Sequence, residues 1–355
     1  MEILWINLLV IYISSFLARF FSRPLLTDTT FIKPNRIFIF LCITSLVLIS
    51  GLRKNIGDTY FYMHSYTTVQ FKLENIRFSG DFGFNIIQAL LQKISDDPQL
   101  LILTTAFLTN VLIVLVLYRY SRMIELSLFV YITSGMYTVS MNGIRQALAA
   151  ALVFAATKYI LNGNWKAYML ITFIASTIHQ TALIFIFIYF IVRREAWTKV
   201  TFLLLGLAVI IAVGFNQFSK LLFDVLDNTQ YGHYSNFSEG GANVFRVAVT
   251  GAPLMVAYFG REKLRELWPK ADFIVNLSTI GLVFMVISMK NWIFARFGVY
   301  FGLYNLIIIS WIVKLFANSD KKLIYYGLLI CYLLYFYYEQ VISLNIVYHS
   351  DYLKW

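Results

Sequence analysis

Long, nearly uncharged apolar runs alternate along this chain with short loops rich in Lys and Arg. No other feature constrains its fold as tightly. The runs lie near 3–20, 37–52, 100–118, 126–141, 143–161, 200–216, 245–260, 272–289, 293–313 and 323–340. Each approaches the ~20 apolar residues that an α-helix needs to cross a bilayer. Overall, 59% of the residues are apolar or aromatic and 13% are charged, against about a quarter charged in an average soluble domain. A soluble fold has no interior large enough to hide that surface. The expected fold is therefore all-α: a polytopic integral membrane protein with about ten transmembrane helices. No Pro/Gly/Ser linker and no shift in composition divides it, so residues 1–355 read as one membrane domain.

The formal net charge of +11 would suggest nucleic acid in a soluble protein. Here it fits the Lys/Arg excess of cytoplasmic loops, and no nucleic-acid partner is expected. Cys42 and Cys331 both sit in apolar runs, so no disulfide or metal framework is readable. Met1-Glu2-Ile3-Leu4-Trp5 has neither a basic region nor a cleavage pattern, and reads as the start of a first spanning helix.

Segment 167–192 decides the topology. It is long enough to cross once, yet positive charge flanks it on both sides and His179 lies at its middle. If it dips in and returns, the cytoplasmic loops hold 18 of the 29 Lys and Arg; if it crosses, they hold 13. The positive-inside rule thus favours a broken, re-entrant hairpin. Such a break at membrane depth is tolerated only beside protein or a water-filled cavity. Both chain ends are then extracytoplasmic, as are the two longer polar stretches, 53–98 and 217–244.

Eleven cations remain on or near the outer side: Arg53, Lys54, Lys72, Arg77, Lys93, Arg145, Lys220, Arg246, Lys290, Arg296 and Lys354. Those that enter helices need a compensating partner, and a bound anion is the natural one. Arg145 lies in Asn142-Gly143-Ile144-Arg145-Gln146, where ~100° per residue puts Asn142, Arg145 and Gln146 on one helix face. Gly143, Ala147, Ala151 and Ala155 form a small-residue stripe beside it, fit for close helix approach. Arg145 could equally snorkel or pair with a carboxylate. Arg296, in Ile293-Phe294-Ala295-Arg296-Phe297-Gly298, has no acidic neighbour in sequence. Its alternatives are a structural pair with Asp58 or Glu339, or a phosphate, which suits a planar guanidinium. His179 can be a satisfied structural residue or a proton acceptor. Asp58, after Gly57, can cap the following helix or serve the site. Tyr231, within 217–244, can stack on a sugar ring.

Signatures of nucleotide hydrolysis, zinc proteolysis and serine hydrolases are absent. No carboxylate cluster suggests a divalent metal, so neither a metal nor another cofactor is expected.

Several short motifs nonetheless occur in a recognisable order. They are Gly51-Leu52-Arg53 with Gly57-Asp58-Thr59 and Tyr62; Asn142-Gly143-Ile144-Arg145-Gln146; and Gly163-Asn164-Trp165-Lys166 with Tyr168. They continue with His179 before Thr181-Ala182-Leu183-Ile184, Tyr189 to Arg194, Ile293 to Arg296, and Tyr300-Phe301-Gly302-Leu303-Tyr304. With them the chain resembles the EpsG-like family of Wzy-type bacterial polysaccharide polymerases. It departs from the family in the spacing at Gly57-Asp58 and in the tail, where Val347-Tyr348-His349-Ser350 replaces a Pro-Tyr pair. The resemblance implies a membrane glycosyltransferase of exopolysaccharide, capsule or O-antigen type in the bacterial cytoplasmic membrane. It would join repeat units carried on a polyprenyl pyrophosphate. Arg53, Arg145 and Arg296 would bind the pyrophosphate, and His179 or Asp58 would be the base. Asn142, Gln146, Tyr62 and Tyr231 stand as candidate sugar contacts. Membrane lipids, a chain-length regulator and a flippase are the implied partners. The rival readings are a flippase for a lipid-linked oligosaccharide and another membrane sugar transferase.

Overall fold

A computed structural model describes residues 1–25, 28–215 and 240–353. Lys220, Tyr231, most of the 217–244 stretch and Lys354 lie outside these residues. Every apolar run forms helix, and the protein is an all-α polytopic membrane protein. Among the described residues, five helical stretches are long and apolar enough to cross a membrane by themselves: Glu2–Phe20, Gln99–Tyr120, Ile144–Asn162, Ala271–Ser288 and Trp292–Leu315.

We number the helices in chain order. The first five are α1 (Glu2–Phe20), α2 (Arg36–Gly51), α3 (Thr59–Thr68), α4 (Phe82–Gln92) and α5 (Gln99–Tyr120). A small antiparallel ribbon, Arg23–Leu25 with Asp28–Lys33, joins α1 to α2. The apolar run 126–141 is two helices joined at Gly135, α6 (Ile124–Thr133) and α7 (Met136–Asn142). A ten-residue helix rises only about 15 Å, half the thickness of a hydrocarbon core. Then come α8 (Ile144–Ala155), α9 (Thr157–Asn162), α10 (Trp165–Ile178), α11 (Ile184–Val192) and α12 (Lys199–Val213). The remainder is α13 (Val244–Phe259), α14 (Arg261–Leu267), α15 (Ala271–Ser288), α16 (Gly298–Ile312) and α17 (Lys321–Phe336). A π-helical turn, Tyr337–Ser343, extends α17.

The segment centred on His179 is a hairpin. Helix α10 starts at Asn164, whose side chain accepts from the Ala167 amide. It stops at His179, which is extended (φ −150°, ψ 114°), and a 3₁₀ turn, Gln180–Leu183, starts the return arm α11. The Tyr168 and Tyr189 rings, near the ends of the two arms away from the tip, lie 5.1 Å apart. A straight helix would separate those residues by roughly 30 Å. At the base, the Arg193 guanidinium donates to the Ile160 carbonyl. The return arm is held by aromatic packing, with Phe185 4.8 Å from Phe301 and 5.3 Å from Tyr300.

The six short basic loops meet at one end of the bundle. Arg19 pairs with Glu125 at 2.6 Å, Trp311 donates to the Tyr120 carbonyl at 2.9 Å, and Trp268 stacks on both Tyr120 and Trp311. Arg265 reaches the Ala196 carbonyl at 3.1 Å, and Lys263 the Leu315 carbonyl at 3.4 Å. The hairpin tip points to the other end. There the polar stretch 53–98, expected as a loop, contributes α3 and α4, and α4 packs across the tip against α10. That approach requires Gly83, since a Cβ there would lie 2.2 Å from Thr177 Oγ1.

Candidate functional site

Arg145 lies in the first turn of α8. A cation there opposes the partial positive charge of the helix N-terminus, so its position does not serve helix stability. Its Nη1 is 2.9 Å from Asp81 Oδ2, its Nε is 3.4 Å from Tyr62 Oη, and its guanidinium lies over the Tyr62 ring at 5.7 Å. Pairing with a carboxylate, one alternative for Arg145, is thus realised. The side chain nonetheless stays 42% exposed, beside an open groove of about 560 Å³. Asp58, Tyr62, Phe84 and Gln88 also line that groove.

Asp81 ties this arginine to the hairpin tip. Its Oδ1 accepts from the Gln180 amide at 3.0 Å, one residue past His179. The aspartate precedes α4, and the Gly83 contact seats α4 on the tip. One carboxylate therefore holds both the guanidinium and the break in the hairpin. Asp81 was not singled out from sequence: a lone Asp before a helix reads as an ordinary cap, and its partners are far along the chain.

His179 is half-buried. Its Nδ1 lies 2.8 Å from Thr181 Oγ1, and Thr181 Oγ1 lies 2.9 Å from Tyr300 Oη. The Thr181 amide also donates toward Nδ1, at 3.4 Å. Thr181 and Tyr300 entered the sequence reading only as parts of motifs. Asp81, Arg145 and Arg296 all act electrostatically on the imidazole. Arg296 sits in the 3₁₀ turn Trp292–Phe297 that leads into α16. Its guanidinium covers the Trp292 ring at 4.6 Å, and its carbonyl accepts from Gln146 Nε2 at 2.9 Å. The starts of α8, of the hairpin's return arm and of α16 therefore converge.

Other expected residues are placed differently. Arg53 does not face an open cavity: it is 1% exposed. Its Nε donates to Thr59 Oγ1 at 3.0 Å, and its amines donate to the Ser50 and Met141 carbonyls. Those carbonyls belong to the last turns of α2 and α7, where a cation is electrostatically favoured. Asn142 ends α7 and does not share a helix with Arg145. Its Oδ1 accepts from the Asp58 amide at 2.9 Å, and a Cβ on Gly57 (φ +54°) would lie 2.0 Å from that oxygen. Asp58 precedes α3 without a side-chain capping bond; the Gly57 turn leaves it exposed at the groove. Glu339, one suggested partner for Arg296, instead pairs with Arg246, whose Nε is 2.7 Å from Oε1. Gln146 is buried and engaged with the Arg296 carbonyl. Tyr231 lies outside the described residues, as do the other aromatics of its loop. Among the described residues no cluster of His, Cys, Asp and Glu could hold a metal ion.

Thus Asp58, Tyr62, Arg145, His179 and Arg296 gather at one end of the bundle, and Asp81, Thr181 and Tyr300 join them. No curated protein and no solved structure is matched by this chain. The EpsG family model matches residues 36–350, nearly the whole chain and every one of these side chains, and the protein belongs to that family.

Proposed function

We propose that the protein polymerises polyprenyl-pyrophosphate-linked oligosaccharide repeat units by glycosyl transfer at the outer face of the cytoplasmic membrane. The observation that carries this reading is the single carboxylate, Asp81, that fixes Arg145 and the His179 tip beside one groove. An acceptor-sugar hydroxyl attacks the anomeric carbon of the donor. The bond from that carbon to the pyrophosphate breaks, and the lipid pyrophosphate leaves with the bonding electrons. The half-exposed Arg145, with Arg296 across the tip, neutralises the charge that develops on the leaving oxygens. Arg53 has a different part, holding the ends of α2 and α7 in place behind Asp58.

His179 takes the hydroxyl proton. Thr181 Oγ1 forms a relay between His179 Nδ1 and Tyr300 Oη and, with the Thr181 amide that donates toward Nδ1 at 3.4 Å, fixes the ring direction. Asp58, exposed on the opposite rim, orients the acceptor. The sidedness follows from charge: the end carrying the six basic loops faces the cytoplasm, and the tip and groove face outward.

The decisive experiment is extension of the lipid-linked repeat unit by purified protein in detergent, resolved on a sizing gel. Wild type should yield a ladder, whereas Arg145→Ala and His179→Ala should leave single units. Ladders of normal length from both folded variants would refute this assignment. A protein that moves substrate across vesicles without lengthening it would be a flippase.

A further inference from the structure

Helices α3 and α4 lead away from the charged cluster side by side. Both start next to it, α3 at Asp58 and α4 at Asp81, the carboxylate that holds Arg145. Gln92, in the last turn of α4, joins their far ends. Its Nε2 donates to the Tyr66 and Val69 carbonyls at 2.7 and 2.8 Å, and its Oε1 accepts from the Phe71 amide at 2.8 Å. The groove of about 560 Å³ therefore extends from Arg145 at one end to Val69 and Phe71 at the other, along the length of α3. A ten-residue helix rises about 15 Å, so the groove is longer than a single sugar ring.

Beyond Arg145 and Asp58 the lining is uncharged and of two kinds. On the α3 wall, Phe61 and Tyr62 lie one turn before Ser65, on the same helix face. On the α4 wall, Asn85 and Gln88 lie one turn apart, with Gln88 Nε2 3.4 Å from Asn85 Oδ1. Phe61 is 68% exposed, although α3 is too short and too rich in Tyr, Ser and Thr to sit across a bilayer. Ring surface left in water is unfavourable, and a purely ionic occupant does not cover it. A hydrocarbon chain leaves the carboxamides and the Ser65 hydroxyl without partners. A saccharide meets both needs: its C–H faces cover aromatic rings, and its hydroxyls donate to and accept from carboxamides. We propose that the α3–α4 groove is an extended saccharide subsite that holds more than one ring of the acceptor repeat unit. That the saccharide is the acceptor rests on the polymerase reading, whereas the saccharide character of the occupant rests on the groove alone. The ring that carries the attacking hydroxyl lies at the Arg145 end, and the following rings extend towards Phe71. Phe61 is the stacking surface, and Asn85 with Gln88 sets which repeat unit is accepted.

The test uses the full chain in detergent carrying Ser65→Cys with Cys331→Ser, since Cys331 is exposed and Cys42 is buried. N-Ethylmaleimide is the label, and the probe is the repeat-unit oligosaccharide freed from its lipid pyrophosphate by mild acid. The oligosaccharide should slow labelling about tenfold at ten times its dissociation constant, the occupancy expected for one site. Inorganic pyrophosphate should not slow it. Adding Phe61→Ala or Asn85→Leu should weaken the protecting affinity roughly fivefold, the effect of one lost neutral contact. Unslowed labelling at the solubility limit of the oligosaccharide would overturn the proposal. So would protection by pyrophosphate alone, which would make the groove a phosphate site, and protection that survives both added substitutions. A second measurement needs no label: Asn85→Leu in the otherwise unaltered chain should raise KM for the lipid-linked unit about fivefold at unchanged kcat, and a lower kcat at unchanged KM would count against the subsite. Normal ladders without protection would strike the subsite and leave the polymerase reading intact, and protection without any polymerisation would do the reverse.

Discussion

Asp81→Asn tests the arrangement most directly because it changes charge while keeping shape. The carboxylate makes two contacts, 2.9 Å to Arg145 and 3.0 Å to the Gln180 amide. An Asn keeps one oxygen for the amide, but its NH2 group cannot accept from Arg145, so the bond to the guanidinium is lost. A hydrogen bond to a charged group contributes about 1.5–3 kcal/mol when sheltered. Arg145 is 42% exposed and Asp81 12% exposed, so solvent screening reduces the loss to roughly 1–1.5 kcal/mol. A barrier raised by ~1.4 kcal/mol slows turnover about tenfold. Binding should move the other way or not at all, because the freed guanidinium no longer shares its charge with a carboxylate. The expected result is kcat down about tenfold with KM for the lipid-linked unit unchanged or lower, measured by ladder formation against substrate concentration. Wild-type turnover, or a raised KM with unchanged kcat, would refute the claim that Asp81 acts by positioning Arg145 and the tip.

Three further outcomes follow from the geometry. Thr181→Val removes the link between His179 and Tyr300, and loss of one neutral hydrogen bond of ~1 kcal/mol predicts a roughly fivefold slower ladder; Thr181→Ser should restore the rate, and equal defects in both variants would count against the relay. Gly57→Ala should lower the melting temperature of the purified protein by at least the equivalent of ~1 kcal/mol, because its φ is positive and its Cβ meets Asn142; an unchanged melting curve would contradict the turn. Cysteines at Ser79, Asn164 and Ser319, probed with a membrane-impermeant maleimide, should react in intact cells only at Ser79; reaction at Asn164 or Ser319 without permeabilisation would reverse the sidedness.

Helix positions were legible because hydrophobic run length is a local property, and bilayer thickness sets it independently of tertiary packing. The hairpin was legible for a related reason: loop charge counts report side of membrane, and only a returning segment keeps Arg193–Lys199 with the other basic loops. What the sequence hid were partnerships. Asp81 meets Arg145 and Gln180 across long separations, and Glu339 meets Arg246 across more than ninety residues. No periodicity encodes such pairs. The apolar runs 126–141 and 143–161 already part at Asn142, yet the motif Asn142 to Gln146 reads as one helix face, because the small size of Gly143 suits a helix seam equally well.

The cations expected on the outer side show how far charge alone can point to a ligand. From sequence, those that enter helices called for a compensating partner, with a bound anion the natural one. In the structure Lys54 pairs with Asp351 and Arg246 with Glu339, while Lys72, Arg77, Lys93 and Lys290 are simply exposed to solvent. Arg53 is satisfied by carbonyls at two helix ends. An excess of positive charge at the hairpin-tip end is therefore weak support for a bound pyrophosphate. The stronger support is placement against helix preference: Arg145 sits at a helix N-terminus, where its own helix disfavours it. Its carboxylate partner leaves much of the guanidinium facing a groove, and the same carboxylate holds the histidine-bearing tip. A residue that existed only to stabilise the fold would have gone to a helix C-terminus, as Arg53 does. The contrast between these two arginines, one enclosed by carbonyls and one held open by Asp81, separates scaffold from site.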